Sequence, residues 1–143
     1  MTDIEKIQIA VGLDGSERSW KAFQEALEFS RLKDAQLHLV SVQESVEASY
    51  SASEVLASEQ TAHEKLENVH QKARSQAQTL GVSTVCAILT GHTVNAMVEY
   101  VKQHKIKLLL LGDIGHLSIW GALLGTSAEK IVRNAPCSVM IVR

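Results

Sequence analysis

The sequence predicts an α/β fold in which five parallel strands form an open sheet and helices cover both of its faces. Short apolar runs rich in β-branched residues alternate with stretches in which apolar residues recur every three or four positions. Such alternation requires parallel strands joined by right-handed crossovers. The chain has 143 residues, of which 45% are hydrophobic and 21% charged, as is typical of a globular domain. We therefore expect residues 1–143 to form a single domain.

The first half of the chain contains two predicted strands and two predicted helices. The first strand ends at a turn formed by residues 14–16, and its apolar residues are Ile7, Ile9, Val11 and Leu13. One face of a helix follows, marked by Trp20, Phe23, Leu27 and Ser30. The second strand is predicted over 37–42, and a long helix over 61–80 that ends at Gly81. Residues 43–53 break this periodicity, which predicts an exposed connection.

The second half contains three more strands and two more helices. The third strand is predicted over 82–89, and a third helix is marked by Val94, Met97, Val98 and Val101. The segment 106–111, apolar except for Lys107, is typical of a strand buried inside a parallel sheet. A fourth helix contains Ile131 and Val132, and the last strand, 139–142, follows the single proline at 136.

The charge and composition exclude several classes of protein. The 14 Lys and Arg residues nearly balance the 16 Asp and Glu residues, so the basic surface expected of a nucleic-acid binder is absent. Apolar runs such as 108–111 are far shorter than the ~20 residues that span a bilayer. No signal-peptide pattern follows Met1. We therefore expect a cytoplasmic protein that neither inserts into membranes nor binds nucleic acid.

Cys86 and Cys137 show no CxxC spacing, so neither a redox motif nor a zinc site is indicated. We interpret both as small buried residues with free thiols. The alternative is a disulfide or a reactive thiol.

The candidate functional residues lie in the turns that follow the first and fourth strands, because open α/β sheets bind ligands at the carboxyl ends of their strands. After the fourth strand, Gly112 and Gly115 precede nine residues and then Gly125, Thr126 and Ser127. A connection of this length is commonly functional, and the helix that begins near Thr126 offers free amides to an anion. These features predict a phosphate-binding loop. Neither a Walker A motif nor GxGxxG occurs.

The spacing of Gly112, Gly115, Gly125 and Thr126 resembles the nucleotide-binding signature of the universal stress proteins. The Asp-Gly-Ser turn at 14–16 is similar to the end of that family's first strand. Residues 134–137 and the strand that follows them also resemble the family's carboxyl terminus.

The resemblance implies a sheet of order 3-2-1-4-5 that holds ATP, with Mg²⁺ or Mn²⁺, between strands one and four. It implies that Asp14 contacts adenosine and that the backbone of Val42 contacts adenine, while Gly112 and Gly115 flank the ribose and phosphates. It further implies that Gly125, Thr126 and Ser127 donate hydrogen bonds to the phosphates. Leu13, Leu111 and His116 complete the expected binding residues. The metal ligands are not indicated.

Several of these residues also have a purely structural interpretation. Asp14 fits an ordinary Asx turn, and Thr126 with Glu129 fits a capping box. Asp113 places a carboxylate beside the expected phosphates, so it must point away, accept a sugar hydroxyl or share the metal ion. His63, Glu67 and His70 recur at helical spacing, which suits a metal site but favours a solvated helix face.

These observations favour a small cytoplasmic regulator of the stress response that binds ATP and forms a homodimer through its carboxyl-terminal edge strand. The alternative is a nucleotide-free interaction module in which the glycine loop is structural. An ATP-using enzyme ranks third, because no catalytic residue is evident. At most, slow hydrolysis of ATP is expected.

Overall fold

A computed structural model describes residues 5–44, 51–113 and 127–143 of the chain. Five strands alternate with four helices along these residues. The strands are β1 (Gln8–Gly12), β2 (Gln36–Gln43), β3 (Thr84–Thr90), β4 (Leu108–Gly112) and β5 (Ser138–Val142). The helices are α1 (Glu17–Lys33), α2 (Ala52–Thr79), α3 (Thr93–Gln103) and α4 (Ser127–Asn134).

The strands form one parallel sheet in the order β3-β2-β1-β4-β5. The predicted fold class and strand order are therefore confirmed. The chain reverses its direction of winding between β1 and β4, which is the switch point at which such sheets bind ligands. Register pairs Gly12 with Val40 and Gly112 with Val142, so the strands end close together at one edge of the sheet.

Each face of the sheet carries its own layer of helices and its own apolar cluster. On one face, α1 and α2 pack against side chains that include Val11, Leu39 and Leu110. On the other, α3 and α4 pack against side chains that include Val40 and Leu109. Because side chains alternate along a strand, consecutive residues of β2 serve opposite faces. The central strands are covered on both sides, as their continuous apolar sequence predicts.

Helix α2 begins at Ala52, nine positions earlier than the predicted start at 61. Ser51 is its N-cap and Glu54 completes a capping box, since each side chain bonds the backbone of the other residue. The last two residues of the predicted exposed connection, 52 and 53, therefore belong to helix α2. The first turns of α2 are exposed and carry no apolar stripe, which is why hydrophobic periodicity does not predict them.

Two predictions of burial are wrong. His70 was expected on a solvated face but is buried, whereas His63 does lie on the surface, 2.8 Å from the Glu67 carboxylate. Cys86 was expected to be buried but is exposed, because β3 is an edge strand and its side chains lack neighbours on one side. Cys137 is half-buried, and both thiols are free. Within the described ranges, no helix is long and apolar enough to cross a membrane.

Candidate functional site

A cleft of about 240 Å³ opens at the carboxyl ends of β1, β2 and β4. Residues from those three strand ends and from the first turns of α1, α3 and α4 line it. The lining residues are Gly12, Leu13, Asp14, Ser16, Arg18, Ser19, Val40, Ser41, Val42, Thr93, Met97, Leu111, Gly112, Ser127, Ala128 and Ile131. The cleft therefore occupies the switch point of the sheet.

Every predicted site residue that the structure describes lines this cleft. These residues are Leu13, Asp14, Val42, Leu111, Gly112 and Ser127. The remaining predicted residues lie outside the described ranges, and they are Gly115, His116, Gly125 and Thr126. The capping box expected between Thr126 and Glu129 lies outside them for the same reason.

Asp14 occupies a tight turn between β1 and α1. Its carboxylate accepts a hydrogen bond of 2.8 Å from the Ser16 amide, as in the Asx turn expected from the sequence. Partial burial raises the pKa of Asp14, but hydrogen bonds from Ser16, with help from Ser19, outweigh that effect and hold it below its usual value. Asp14 is therefore a carboxylate at neutral pH, and it presents an acceptor of hydrogen bonds to the cleft.

The end of β2 presents backbone groups to the cleft. The Val40 carbonyl accepts from the Leu13 amide at 2.9 Å, whereas the Gln43 carbonyl accepts from Gly91 on the opposite side. Backbone groups alternate in direction along a strand, so the amide and carbonyl of Val42 point to the side on which β1 lies. The last paired residue of β1 is Gly12, opposite Val40. The Val42 groups consequently face the space beyond the end of β1.

Three helices begin at the cleft, and the amino terminus of a helix favours negative charge; at α3 that place is already taken by the carboxylate of Glu44. Ser16 caps α1 by accepting from the Ser19 amide at 3.2 Å. Thr93 begins α3, and both its amide and its hydroxyl donate to Glu44, at 3.2 and 2.6 Å. These bonds hold the pKa of Glu44 below its usual value. Ser127 is the first residue of α4.

Arg18, in the first turn of α1, adds a positively charged residue to the lining of the cleft. Arginine is suited to carboxylate and phosphate groups because its donors form a planar fork. Arg18 is not among the residues predicted from the sequence, because a cation in a first helical turn follows no recognisable motif. Arg18 could have been predicted from its position, because it closely follows the turn after β1, where a ligand is expected.

Gly112 has a structural reason to be glycine. A Cβ atom added there would lie 2.7 Å from both the backbone carbon and the backbone oxygen of Arg18. The end of β4 therefore packs directly against the backbone of α1. This close packing accounts for the first glycine of the predicted loop without any ligand, and it brings Arg18 beside the strand end.

Asp113 is not among the residues that line the cleft. Its amide donates to the Val142 carbonyl at 2.8 Å, which extends the pairing of β4 with β5 by one residue. Its carboxylate lies 3.8 Å from Nε of Arg143. Of the three alternatives for this acid, the structure supports the one in which it points away from the cleft.

Ser41 is another residue of the cleft lining that the sequence did not predict. It lies inside the apolar run of β2, where one serine carries no pattern. Its hydroxyl contacts Leu13 and the buried His70. In the part of the chain that the structure describes, no group of three or more His, Cys, Asp or Glu side chains could hold a metal ion.

Residues 8–143 match the universal stress protein family. Among curated proteins, a universal stress protein of Methanocaldococcus jannaschii is 30% identical over 139 residues. That alignment covers 95% of this chain and 81% of the relative.

Solved structures of the same family share the fold. A universal stress protein in complex with cAMP superposes with a TM-score of 0.75 at 24% identity, covering 96% of this chain and 97% of that one. An Arabidopsis thaliana family member with AMP bound gives a TM-score of 0.70 at 22% identity, covering 95% and 90%.

Proposed function

The chain belongs to the universal stress protein family, and we propose that it binds an adenine nucleotide, ATP with Mg²⁺ or Mn²⁺, in the cleft at the switch point. The observation that carries this proposal is the convergence of every described predicted site residue on one cleft. That cleft combines apolar walls, a carboxylate and three helix amino termini. Each of these features suits a different part of a nucleotide.

We place adenine at the end of β2. The Val42 amide and carbonyl face the cleft as a neighbouring donor and acceptor, which matches the acceptor and amino donor on the edge of adenine. Met97 and Leu111 supply apolar surface on the α3 side of the sheet. A backbone contact of this kind distinguishes adenine from guanine, because guanine presents a carbonyl where adenine presents an amino group.

We place the ribose at Asp14. The carboxylate is ionised at neutral pH and accepts hydrogen bonds, as sugar hydroxyl groups require. The same negative charge opposes phosphate, so the phosphates lie away from Asp14 and toward Ser127. There the α4 amino terminus and the positive charge of Arg18, a residue of the cleft lining, favour negative charge. Gly115, His116, Gly125 and Thr126 complete the phosphate end in this proposal.

The cAMP and AMP bound by the two structurally similar proteins support the adenine nucleotide class. Both ligands share an adenosine and differ in their phosphates. The proposal for this chain accordingly depends most on the adenosine contacts at Val42 and Asp14. Binding of ATP rather than AMP depends on the phosphate end.

Titration calorimetry with ATP and Mg²⁺, adenosine and GTP tests the proposal. We expect ATP and adenosine to bind and GTP to bind at least about tenfold more weakly, since a mismatched hydrogen-bonding edge costs more than ~1.4 kcal/mol. Asp14→Ala should weaken adenosine binding by a similar factor. Glu17→Ala is the matched control, because Glu17 is an exposed acid in the next turn that does not line the cleft.

Absence of binding by every adenine nucleotide would overturn the proposal in favour of a nucleotide-free interaction module. A second measurement guards against loss of a tightly bound ligand during purification. The protein is denatured by heat, and the released small molecules are identified. Nucleotide in that fraction supports binding even where titration shows none.

We also propose that the protein is a cytoplasmic regulator that forms a homodimer through β5. In the described sheet, β5 pairs with β4 alone, and it carries no Lys or Pro to protect its free edge. Ile141 on β5 and Val132 on α4 are both exposed. Two copies of β5 related by a twofold axis would cover both edges. The free thiols of both cysteines fit a reducing compartment.

Light scattering measures the oligomeric state. A mass near twice the 15.6 kDa of the chain supports the dimer, and the mass of one chain at micromolar concentration contradicts it. Ile141→Lys places a charge on the exposed edge and should favour the monomer. Leu56→Lys, an equivalent change at an exposed leucine of α2, should leave the mass unchanged.

A further inference from the structure

A buried chain of hydrogen bonds joins α2 to the wall of the cleft. Ser41 Oγ donates to the carbonyl oxygen of Leu13 and lies 2.6 Å from Nε2 of His70. Only 2% of Ser41 and 4% of His70 is exposed. The hydrogen bonds therefore run from helix α2, through β2, to the residue that precedes Asp14.

The chemistry of the groups fixes the positions of the protons. A carbonyl oxygen only accepts, so the single hydroxyl hydrogen of Ser41 goes to Leu13. The bond between Ser41 and His70 then requires Nε2 of the imidazole to carry its hydrogen. Nδ1 is consequently the bare nitrogen, and it is buried with no partner within the described ranges. A bare acceptor there costs less than an unpaired N–H donor.

This arrangement differs from that of a serine nucleophile. An activated serine donates its proton to histidine, and a third group bonds the other ring nitrogen to orient the base. Here the serine donates to a backbone carbonyl, and the histidine donates to the serine. The direction of donation makes Ser41 and His70 a support for the backbone of Leu13.

We infer that His70 is a positioning residue of the nucleotide site, which through Ser41 fixes the spacing between the Asp14 turn and the end of β2. This inference rests on the proposed function. Ser41 directly precedes Val42, and Leu13 directly precedes Asp14, so one bond connects the two places proposed to contact adenosine. The last backbone pair of β1 and β2 is Gly12 with Val40. Beyond that pair, the hydrogen bond from the Ser41 side chain to the Leu13 carbonyl holds the two chain segments together.

A neighbouring contact from α2 reaches the same turn. A Cβ atom added at Gly15 would lie 3.0 Å from Cγ2 of Val69, so α2 packs closely against the residue that follows Asp14. The turn is thus held by α2 on both sides of Asp14, through His70 and Ser41 before it and through Val69 after it. A shift of α2 at Val69 and His70 would move Asp14, the proposed ribose contact, relative to Val42, the proposed adenine contact. Affinity depends on the distance between such contacts.

The first experiment requires no ligand. The ¹⁵N shifts of the His70 ring at neutral pH report which nitrogen carries hydrogen, and we expect hydrogen on Nε2 and none on Nδ1. His70→Leu should shift the amide resonances of Leu13 and Asp14. His63→Leu, at an exposed position two turns earlier in the same helix, should not. Hydrogen on Nδ1, or unchanged Leu13 and Asp14 resonances in His70→Leu, would overturn the inference.

The second experiment measures binding. We expect His70→Leu to weaken adenosine and ATP by the same factor, about five- to twentyfold, and to leave inorganic tripolyphosphate unaffected. His70→Gln should recover most of the loss, because its side-chain amide can donate to Ser41 in place of Nε2. His63→Leu should bind as the wild type does.

The outcomes separate this inference from the function on which it rests. Wild-type protein that binds no adenine nucleotide contradicts the proposed function, while the amide resonances still decide whether His70 positions the turn. Wild-type protein that binds, with His70→Leu binding equally well, contradicts the inference alone. Loss of tripolyphosphate binding together with adenosine would indicate general unfolding and would also count against it.

Discussion

At the amino end of β2, His38 is buried with both ring nitrogens bonded, whereas at the carboxyl end Ser41 connects a buried histidine to an open cleft. His38 Nδ1 lies 2.7 Å from the Tyr100 hydroxyl, and Nε2 lies 2.5 Å from Oε1 of Gln8. The Tyr100 ring stacks on His104 with 4.0 Å between centroids. The polar groups of this cluster are thus bonded to one another, and none of these residues lines the cleft.

The comparison indicates that the amino end of β2 contributes mainly to folding stability and that its carboxyl end contributes mainly to ligand binding. Polar groups at the amino end satisfy one another and leave little capacity for a ligand, so their loss should reduce folding stability. Groups at the carboxyl end retain unused capacity, in the Val42 backbone and the Asp14 carboxylate, and should determine affinity. Variants at the two ends test whether this division holds.

The largest effect is expected at the carboxyl end, from Gly112→Val. The added Cβ would lie 2.7 Å from backbone atoms of Arg18, which cannot rotate away. We expect the free energy of unfolding to fall by roughly 3 kcal/mol or more, the upper range for overpacking. This variant would show that one position at the binding end also serves the fold.

Gly81→Ala is the control for Gly112→Val. Gly81 has a φ of 73° but open space around its Cβ position, so only a backbone cost of about 1–2 kcal/mol is expected. Urea unfolding of both variants measures the difference. Equal losses in the two would show that close packing at Gly112 contributes nothing.

The next largest effect is a dependence of stability on pH at the amino end. Burial, with a smaller contribution from His104, lowers the pKa of His38 from 6.5 to about 4. The unfolded chain therefore takes up the proton first as the pH falls, so stability is full above pH 6.5 and declines toward pH 4. We expect a loss on the order of 2–3 kcal/mol across this interval.

His38→Gln tests the source of that loss. Glutamine does not titrate, so its stability should change less over the same interval. Some decline remains, because burial also lowers the pKa of His70. Denaturant unfolding at a series of pH values gives both curves. Parallel curves for the variant and the wild type would show that His38 is not responsible.

A smaller effect distinguishes the two ends directly. Tyr100→Phe removes the partner of His38 Nδ1 and leaves a buried ring nitrogen unpaired, which should cost about 1–1.5 kcal/mol of stability. Its affinity for adenosine should match that of the wild type. Ser41→Ala should instead weaken adenosine binding severalfold. If Tyr100→Phe weakened binding as much as Ser41→Ala does, the division between the two ends would be wrong.

The same division explains which features the sequence predicts. The alternation of strands and helices, and the turns after the first and fourth strands as the place of a site, follow from hydrophobic runs and turn residues, which are local signals. The strand order and the individual binding residues follow only from the resemblance of the glycine motif to the universal stress proteins. His70 lies at helical spacing from the buried Leu66, Ala73 and Ala77, so its place on the apolar stripe of α2 does indicate burial. The charged residues near His63 favoured a solvated face instead. His63 and His70 have similar sequence surroundings, yet only His70 faces the sheet. The start of α2 was readable, because Ser51 and Glu54 have capping-box spacing.

The smallest effect is expected from Asp113→Asn, which tests the one acid beside the predicted phosphate loop. Asp113 lies next to Gly112 in sequence, but its carboxylate faces Arg143, whose side chain is 90% exposed. An ion pair so exposed contributes about 0–1 kcal/mol, so stability should barely change. Because the carboxylate lies outside the cleft lining, solvent and salt screen it from bound phosphate. ATP affinity should then rise by less than about threefold, as measured by calorimetry at physiological salt. A tenfold rise would show that Asp113 does face the phosphates, and a tenfold fall would show that it binds their metal ion.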